Sequence, residues 1–288
     1  MSRSCIRTIT ALFLLLFPCT LPAQENPVPE RSRIPVRTLD LDSLAYRAGE
    51  QLDFQMHYTW GLIDSNVGSA HVVLDTVRMA GQQCFHTKVS GKTTRLFDLF
   101  FKVRENFESW FTCEGIRPVK FLRESYEGPY TAKNKYEYHW EADSSYIKAE
   151  VFSSAHGTVD TVLPLDDCTF DLPSLFFFAR NMDFSQVEPG KKHPMTFAVD
   201  DDVYDVYFIL YGPETINVKG LGKVRTIRFG ARLLAGEVFT GDQDMSIWIT
   251  DDENRIPVYF EAPILVGTAS GWLTKWSGLK HDFSSRVR

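Results

Sequence analysis

The stretch Ile247–Val258 reads IWITDDENRIPV and contains the pattern that recurs along the chain: an alternating apolar strand, an acidic turn and a return strand. Aspartate and asparagine suit turns because their side chains accept hydrogen bonds from nearby backbone N–H groups. Pro257 favours an extended residue before it and starts the return strand where a missing donor is tolerated. The stretch therefore predicts an antiparallel hairpin. We interpret Asp251 and Asp252 as turn residues, with Arg255 placed to pair with one of them.

Short alternating segments of this kind fill most of the sequence, and no strand–helix–strand rhythm interrupts them. The fold class predicted is mainly β: a single curved antiparallel sheet, or an open or closed β-barrel-like domain, with one or two short helices. The predicted strands are Gln51–Trp60, Val67–Val77, Gln82–Ser90, Val103–Cys113, Lys120–Glu127, Asn134–Trp140, Tyr146–Phe152, Val159–Pro164, Lys192–Val199, Val203–Gly212, Glu214–Val218, Lys223–Leu233, Asp244–Thr250 and Ile256–Ala262, with a final strand or loop over Gly267–Leu279.

Two segments depart from the alternation. The segment DLPSLFFFARNMDF opens with Asp171 as a capping residue and carries Pro173 in its first turn, which predicts a helix over about residues 171–181. The segment TTRLFDLFFK, which follows the third predicted strand, has a spacing that suits a short helix or an irregular cap. Turns are predicted at Gly212-Pro213 and at Gly220–Gly222.

The N-terminus has the pattern of a secretory signal peptide. Arg3 and Arg7 precede the apolar run Ile9–Phe17, which is too short to span a bilayer. We predict cleavage after Ala23, although a buried N-terminal helix is the alternative. Cys19 lacks the small preceding residues of a lipidation site, so lipidation is not expected, and the predicted location is the periplasm or the cell envelope.

The predicted organisation follows from these ends. Residues 1–23 form the signal peptide, residues 24–43 an extended Pro- and Arg-rich lead-in, and residues 44–288 a single β-rich domain. Loss of the signal, which carries two arginines and no acid, takes the formal net charge from −6 to −8. This charge argues against a nucleic-acid or anionic-membrane binder, whose affinity would rest on clustered Lys and Arg. We expect no transmembrane segment in the mature chain.

Three cysteines follow the predicted cleavage site, and their spacing fits no zinc motif. If the strands on either side of TTRLFDLFFK pair with Ser90 opposite Phe107, Cys84 lies opposite Cys113. That register would allow a Cys84–Cys113 disulfide in an oxidising compartment. The alternative is three buried thiols, with Cys168 as the third.

Candidate catalytic and metal-binding groups are sparse. The acidic run at Asp200, Asp201, Asp202 and Asp205 offers oxygen ligands to calcium but lacks the spacing of an EF-hand, and solvated turns are the favoured interpretation. The seven histidines form no ligand-spaced group, and Ser174 lacks the context of a hydrolase nucleophile. No cofactor is predicted, and a non-enzymatic protein is favoured over a hydrolase or a metal-dependent enzyme.

Aromatic residues make up 14% of the chain, which is the strongest compositional signal. A large aromatic core explains them, and so does an apolar cleft between the helix and the sheet. The candidate ligand-binding residues in such a cleft are Trp60, Phe176, Phe177, Trp248 and Trp272.

An ordered set of segments resembles the exported bacterial family called domain of unknown function 3108. The opening YRAGEQLDFQMHYTWGLIDSNVGSAHV, with Gly49-Glu50 and Gly68-Ser69, is similar to the family's first hairpin. FDLPSLFFFAR carries an Asp-x-x-Ser helix through Asp171 and Ser174. IWITDDENRIPV, EAPILVGTASGWL and the strands from FAVDDDVYDVY onward complete the match, over roughly residues 44–279. The resemblance implies an exported β-rich domain and supplies no catalytic residue.

Together these features predict an exported protein that binds an apolar or glycan-like ligand, or an envelope protein partner, and they favour a non-enzymatic role. The first alternative is a structural or scaffolding module without a small-molecule site. The second alternative is a hydrolase or a metal-dependent enzyme.

Overall fold

The computed structural model describes residues 41–79, 81–141, 144–232, 244–264 and 266–287. The predicted signal peptide, Cys19 and most of the lead-in lie outside the described residues. The strands are β1 Gln51–Trp60, β2 Ile63–Met79, β3 Gln82–Thr93, β4 Val103–Thr112, β5 Pro118–Glu127, β6 Tyr130–His139, β7 Tyr146–Ser153, β8 Gly157–Pro164, β9 Thr169–Phe170, β10 Lys192–Val199, β11 Asp202–Val218, β12 Gly222–Ala231, β13 Met245–Thr250, β14 Pro257–Pro263 and β15 Thr268–Ser277. The helices are α1 Arg95–Asp98 and α2 Leu172–Ala179.

All fifteen strands belong to one sheet. Its order runs from β8 back to β1, then to β15 and back to β9, so the first and last strands pair at its centre. Neighbouring strands are antiparallel except for the short parallel pair β9–β10. In the part of the chain that the structure describes, no ladder joins the edge strands β8 and β9, and the curved sheet is not closed. The predicted fold class is confirmed.

Strand β1 illustrates why these sequences form this sheet. Its alternate residues Leu52, Phe54, Met56 and Tyr58 are buried, as the period of two predicts. Trp60 continues the alternation but lies at the end of the strand and is 41% exposed. The predicted helix is also present, as α2, two residues shorter at its C-terminal end.

The turn predicted at Gly212-Pro213 is wrong. Strand β11 continues through both residues, and its register against β12 shifts between Leu210 and Gly212. Gly212 has a φ of 109°, a conformation that glycine adopts without steric cost. The extra residue is Tyr211, so a β-bulge at Tyr211–Gly212 lies inside one long strand and bends the strand without ending it.

The register predicted between β3 and β4 is wrong by one residue. Val89, and not Ser90, lies opposite Phe107, and Cys84 lies opposite Thr112. Residues directly opposite share a face of the sheet. Val89 and Phe107 both pack in the interior, so the observed register is the one that buries both. Cys84, Cys113 and Cys168 are buried free thiols in the structure, so the proposed Cys84–Cys113 bridge is not formed there.

The concave side of the sheet encloses the core, and α2 lies inside it. One large apolar cluster joins α2 to strands from both halves of the sheet, through residues such as Leu52, Phe111, Phe177 and Phe208. A second cluster fills the curve formed by β4 to β8. The helix therefore occupies the space between the two halves of the sheet.

Candidate functional site

A cavity of about 340 Å³ lies between α2 and the concave face of the sheet. Its volume is at the lower end of the range of small-molecule pockets, about 300–1,000 Å³. Nearly all of its lining is apolar. The lining includes Met56 and Val72 from β1 and β2, Phe176 and Ala179 from α2, and Ala231, Met245 and Phe260 from β12 to β14.

Helix α2 lies between the cavity and the core, and it is apolar on every side. Phe177 and Phe178 are buried against the sheet, and Phe177 stacks on Phe111 with ring centroids 5.6 Å apart. Phe176 and Ala179 face the cavity and are half-buried. A helix with apolar side chains all round is expected only where both sides are covered. Here the sheet covers one side and the cavity lies on the other.

The N-terminus of α2 is fixed by a buried capping box. The Asp171 carboxylate accepts a hydrogen bond from Ser174 N at 2.9 Å, and the Ser174 hydroxyl accepts one from Asp171 N at 3.1 Å. The other oxygen of Asp171 accepts from Ser109 Oγ at 3.0 Å and from Tyr138 OH at 3.2 Å. Burial raises the pKa of Asp171 to about 6, although these donors oppose the rise. The cap thus attaches α2 to strands β4 and β6.

The C-terminus of α2 is fixed by a buried ion pair. Arg180 contacts both oxygens of Glu50, with Nη1–Oε1 and Nη2–Oε2 distances of 2.5 and 2.9 Å. Arg180 Nε also donates to the backbone carbonyl of Asn254 at 3.0 Å. A bidentate arginine–carboxylate pair fixes direction as well as distance. The helix is therefore attached to the start of β1 and to the β13–β14 turn.

The β13–β14 turn, which belongs to IWITDDENRIPV, also holds the C-terminal end of α2 in place. Arg255 has a φ of 49° and is buried, and it donates to the backbone carbonyl of Met182 just beyond α2. Asp252 Oδ1 accepts from Asn254 N at 3.1 Å and from Thr250 Oγ1 at 2.7 Å, whereas Asp251 is exposed. The turn faces inward and holds the helix, which agrees with the structural interpretation of its acids.

Polar groups at the cavity are confined to a few positions. Tyr207 of β11 and Arg232, which directly follows β12, line it. Tyr207 OH donates to Asp244 Oδ1 at 3.1 Å, and Arg232 Nη1 lies 3.8 Å from the same oxygen. Arg180 also borders the cavity, but its charge is paired with Glu50. The site can therefore offer apolar contact over most of its surface and polar contact at one margin.

The five predicted ligand-binding residues lie in different places. Phe176 lines the cavity, and Phe177 is buried beside it in the core. Trp248 points to the other face of β13, since its neighbours Ile247 and Ile249 line the cavity, and it donates to Glu214. Trp272 lies on the outer face of the sheet and Trp60 at a strand end. These assignments remain predictions, and the structure brings together only the first pair.

Sequence reasoning did not identify most of the lining. The residues concerned are aliphatic or small and come from distant strands, for example Met56, Val72, Ala231 and Met245. The sequence pattern at these residues is the alternation of their strands, which distinguishes inward-facing from outward-facing positions. Alternation does not show which inward positions meet a gap and which meet another side chain.

A second, more polar groove lies on the outer face of the sheet, with a volume of about 450 Å³. Trp272 forms part of its floor, and Lys219 Nζ lies 5.0 Å from the centre of the indole ring. His57 Nε2 lies 2.5 Å from Asp64 Oδ1, and Tyr259 OH donates to Glu261 at 2.9 Å. Each of these charged groups thus contacts a neighbouring side chain of the groove.

The acidic run that begins at Asp200 does not form a cation site in the structure. Asp200 is buried and pairs with Arg123, with Nη1–Oδ1 at 3.0 Å, while Asp201 and Asp202 are exposed. Across the described ranges, no group of three or more His, Cys, Asp or Glu side chains is placed to hold a metal ion.

Arg123 is the centre of a buried polar network inside β4, β5 and β6. Its guanidinium also lies 3.9 Å from Glu105 and 3.7 Å from Glu127, and the Ser125 hydroxyl is within hydrogen-bond distance of both glutamates. Burial, reinforced by the neighbouring Glu105, raises the pKa of Glu127 to about 9. Burial likewise raises the pKa of Glu105. This cluster is closed to solvent and lies apart from the cavity.

These features define a class: a curved β domain whose internal helix borders an apolar cavity. A family model described as protein of unknown function (DUF3108) matches residues 53–274. The chain belongs to this family, which confirms the resemblance seen in the sequence. No curated protein matches the chain.

Two solved structures are similar in fold. A β-barrel-like protein of the domain of unknown function DUF1849 from Brucella abortus matches with a TM-score of 0.50 and 12% identity, over 82% of this chain and 100% of that chain. A Bacteroides fragilis protein with a YmcC-like fold matches with a TM-score of 0.34 and 6% identity, over 81% and 97% of the two chains. The first supports the β-barrel-like architecture. Among the described residues, no helix is both long and apolar enough to cross a membrane.

Proposed function

We propose that this protein is an exported, non-enzymatic binding protein that takes an apolar ligand into the cavity beside α2. The observation that carries the proposal is the cavity itself: about 340 Å³ lined almost entirely by apolar side chains. Protein interiors are close-packed, and an apolar gap loses contact energy unless something fills it. A long apolar ligand would supply those contacts.

The fixed position of α2 supports binding rather than chemistry. Both ends of the helix are held by buried polar groups, so the wall of the cavity is pre-formed and the ligand does not have to order it. The polar groups at the margin, Tyr207 and Arg232, suit recognition of one polar end of the ligand. The signal-peptide pattern supports export to the periplasm or cell envelope as part of this proposal.

The test is a titration of purified protein with the dye 1-anilinonaphthalene-8-sulfonate, followed by displacement with a saturated fatty acid. Ala179→Phe places a ring in the cavity and should weaken dye binding by about tenfold or more, since one filled side chain volume is worth more than about 1.4 kcal/mol. Val162→Phe adds similar bulk on the exposed outer edge and is the matched control. Equal dye binding by the Ala179→Phe variant, or no displacement by the fatty acid, would contradict the proposal.

A glycan-like ligand in the outer groove is the second candidate, since the groove combines the aromatic residues Trp272 and Tyr259 with polar groups. It is less favoured because Trp272 is only 8% exposed and Lys219 lies over its ring. Sugar stacking would require that lysine to move. Binding of soluble oligosaccharides that Lys219→Ala strengthens would favour this candidate over the first.

A further inference from the structure

Exposed apolar side chains are concentrated at one end of the molecule. Thirteen large apolar side chains are exposed among the described residues, and six of them lie on two hairpin tips. Leu62 is fully exposed, and Leu96, Leu99 and Phe100 are 67%, 79% and 69% exposed. Trp60 and Ile63 complete the set. Scattered single apolar residues are ordinary on a surface, whereas a cluster of this size marks an interaction site.

The two tips are neighbours in space. The first joins β1 to β2, and the second joins β3 to β4 and contains α1. Gly68 of β2 pairs with Thr93 of β3, and Thr94 N donates to Val67 O at 2.9 Å where the second tip begins. The two tips therefore lie side by side at one end of the sheet, and we call their exposed residues together the apolar tip: Trp60, Leu62, Ile63, Leu96, Leu99 and Phe100.

The second tip is held so that its apolar side chains face outward. Arg104 Nη2 lies 2.6 Å from Asp98 Oδ2, and Thr93 Oγ1 donates to Asp98 Oδ1 at 2.5 Å. The hydrogen bond from Arg104 lowers the pKa of Asp98 to about 2, so the pair is charged at neutral pH. Phe97 turns inward, while Leu96, Leu99 and Phe100 do not. Several large apolar residues held outward on one loop mark an interaction site.

The apolar tip is continuous with the cavity. Phe97 packs against a small cluster that includes Met56 and is also contacted by Met245 and Phe260. Met56, Met245 and Phe260 line the cavity as well. The cluster thus joins the loop that carries the exposed residues to the wall of the apolar site.

The exposed charges of the second tip are basic, whereas the first tip carries the exposed acid Asp64, whose carboxylate lies 2.5 Å from His57 Nε2. Arg95 and Lys102 are exposed within the second tip, and Lys92 is exposed just before it. Apolar side chains that project beside Arg and Lys are the arrangement by which peripheral proteins enter the headgroup layer of a bilayer. The formal net charge of −6 is that of the whole chain, so the basic residues of the second tip are a local exception to it.

We propose that the apolar tip docks on the surface of an anionic lipid bilayer. Leu62, Leu99 and Phe100 enter the interface, and Arg95 and Lys102 contact acidic headgroups. Continuity with the cavity favours a lipid surface over a second copy of the chain, because the same end then faces a source of apolar ligand. Docking does not depend on whether the cavity is filled, so this proposal and the proposed function can fail separately.

The test is sedimentation of the full chain with vesicles of phosphatidylethanolamine and phosphatidylglycerol, compared with vesicles of phosphatidylcholine. The wild type should bind the anionic vesicles, and a variant with Leu62→Ser, Leu99→Ser and Phe100→Ser should bind at least about tenfold more weakly. The control carries Val159→Ser and Val162→Ser, which remove exposed apolar side chains from the edge strand β8. It should bind like the wild type.

A second readout does not depend on the triple variant folding. The intrinsic fluorescence of the wild type should shift to the blue on anionic vesicles, and Trp60→Phe should remove most of that shift. Binding should also weaken when Arg95 and Lys102 are changed to glutamate. Failure of the wild type to bind, equal binding by the triple variant, or a concentration-dependent dimer that the triple variant abolishes without any vesicle binding would overturn the proposal.

Discussion

The interior of this sheet is filled in two opposite ways. Beside β4 to β6, buried charges around Arg123 pair with one another and leave a closed polar cluster. On the other side of α2, facing β1 to β3 and β10 to β14, apolar side chains leave a cavity of about 340 Å³. The same curved backbone supports both. We infer that one half stabilises the curvature and the other half provides the space for a ligand.

The two regions meet at the β10–β11 hairpin. Its turn residue Asp200 inserts into the polar cluster, where Asn134 Nδ2 donates to its carboxylate at 3.0 Å and Tyr136 OH donates to its carbonyl at 2.6 Å. Farther along the same hairpin, Phe197 and Phe208 line the cavity. The open sheet is thus held curved by side chains and not by a closing ladder.

The largest effect should come from breaking the polar cluster. Arg123→Met removes the cation from three buried acids, and leaving a buried charge unpaired costs about 3–5 kcal/mol. Urea unfolding should show this loss. Arg117→Met, which breaks the half-exposed pair with Asp167, should cost less than about 1 kcal/mol. Similar losses for both variants would show that the cluster does not stabilise the curvature.

A smaller effect is expected at the cap of α2. Asp171→Ala removes the capping box and leaves Ser109 and Tyr138 without their acceptor, which should cost about 2 kcal/mol. Because α2 forms a wall of the cavity, dye binding should weaken as well. Thr94→Ala removes the cap of α1 at a cost of about 1 kcal/mol and should leave dye binding unchanged. If the Asp171→Ala variant bound the dye as well as the wild type, the capped position of α2 would not be needed for the binding site.

The third effect is a pH dependence that distinguishes the two regions. The folded state keeps a proton on Glu127, with a pKa of about 9, that the unfolded state releases above about pH 4.5. The folded state therefore binds more protons between these values, and the free energy of unfolding falls as pH rises toward 9. Urea titrations from pH 6.5 to 9 should show this slope, and Glu127→Gln should flatten it.

The window above pH 6.5 excludes Asp171, whose raised pKa of about 6 acts in the same direction at lower pH. Glu124→Gln, at an exposed pair with Lys133, is the matched control and should leave the slope unchanged. A wild-type stability that is flat across this window would contradict a buried protonated Glu127.

The strands and α2 were predictable because their signals are local. Alternation in Gln51–Trp60 predicts its buried face, and Asp171 with Pro173 predicts the start of the helix. The register between β3 and β4, which sets the residue opposite Cys84, was not predictable, because it depends on which apolar residues meet inside the sheet. The bulge at Gly212 was not predictable as such, since a glycine–proline pair also suits a turn.

The candidate site was harder to predict than the fold. Phe176 was found because it lies on a recognisable helix, but Met56, Ala231 and Met245 come from strands that meet only after the sheet curves. The polar cluster needs Asp200 to reach Arg123 across 77 residues of sequence. Side chains that converge through tertiary structure leave no local pattern.

The central claim is that the cavity beside α2 holds an apolar ligand, and native mass spectrometry of the full chain purified from its own envelope tests it most directly. The wild type should carry an apolar adduct that organic extraction removes, and Ala179→Phe should not carry it. Val162→Phe should carry it like the wild type. A bare protein mass for the wild type, or the same adduct on the Ala179→Phe variant, would contradict the claim.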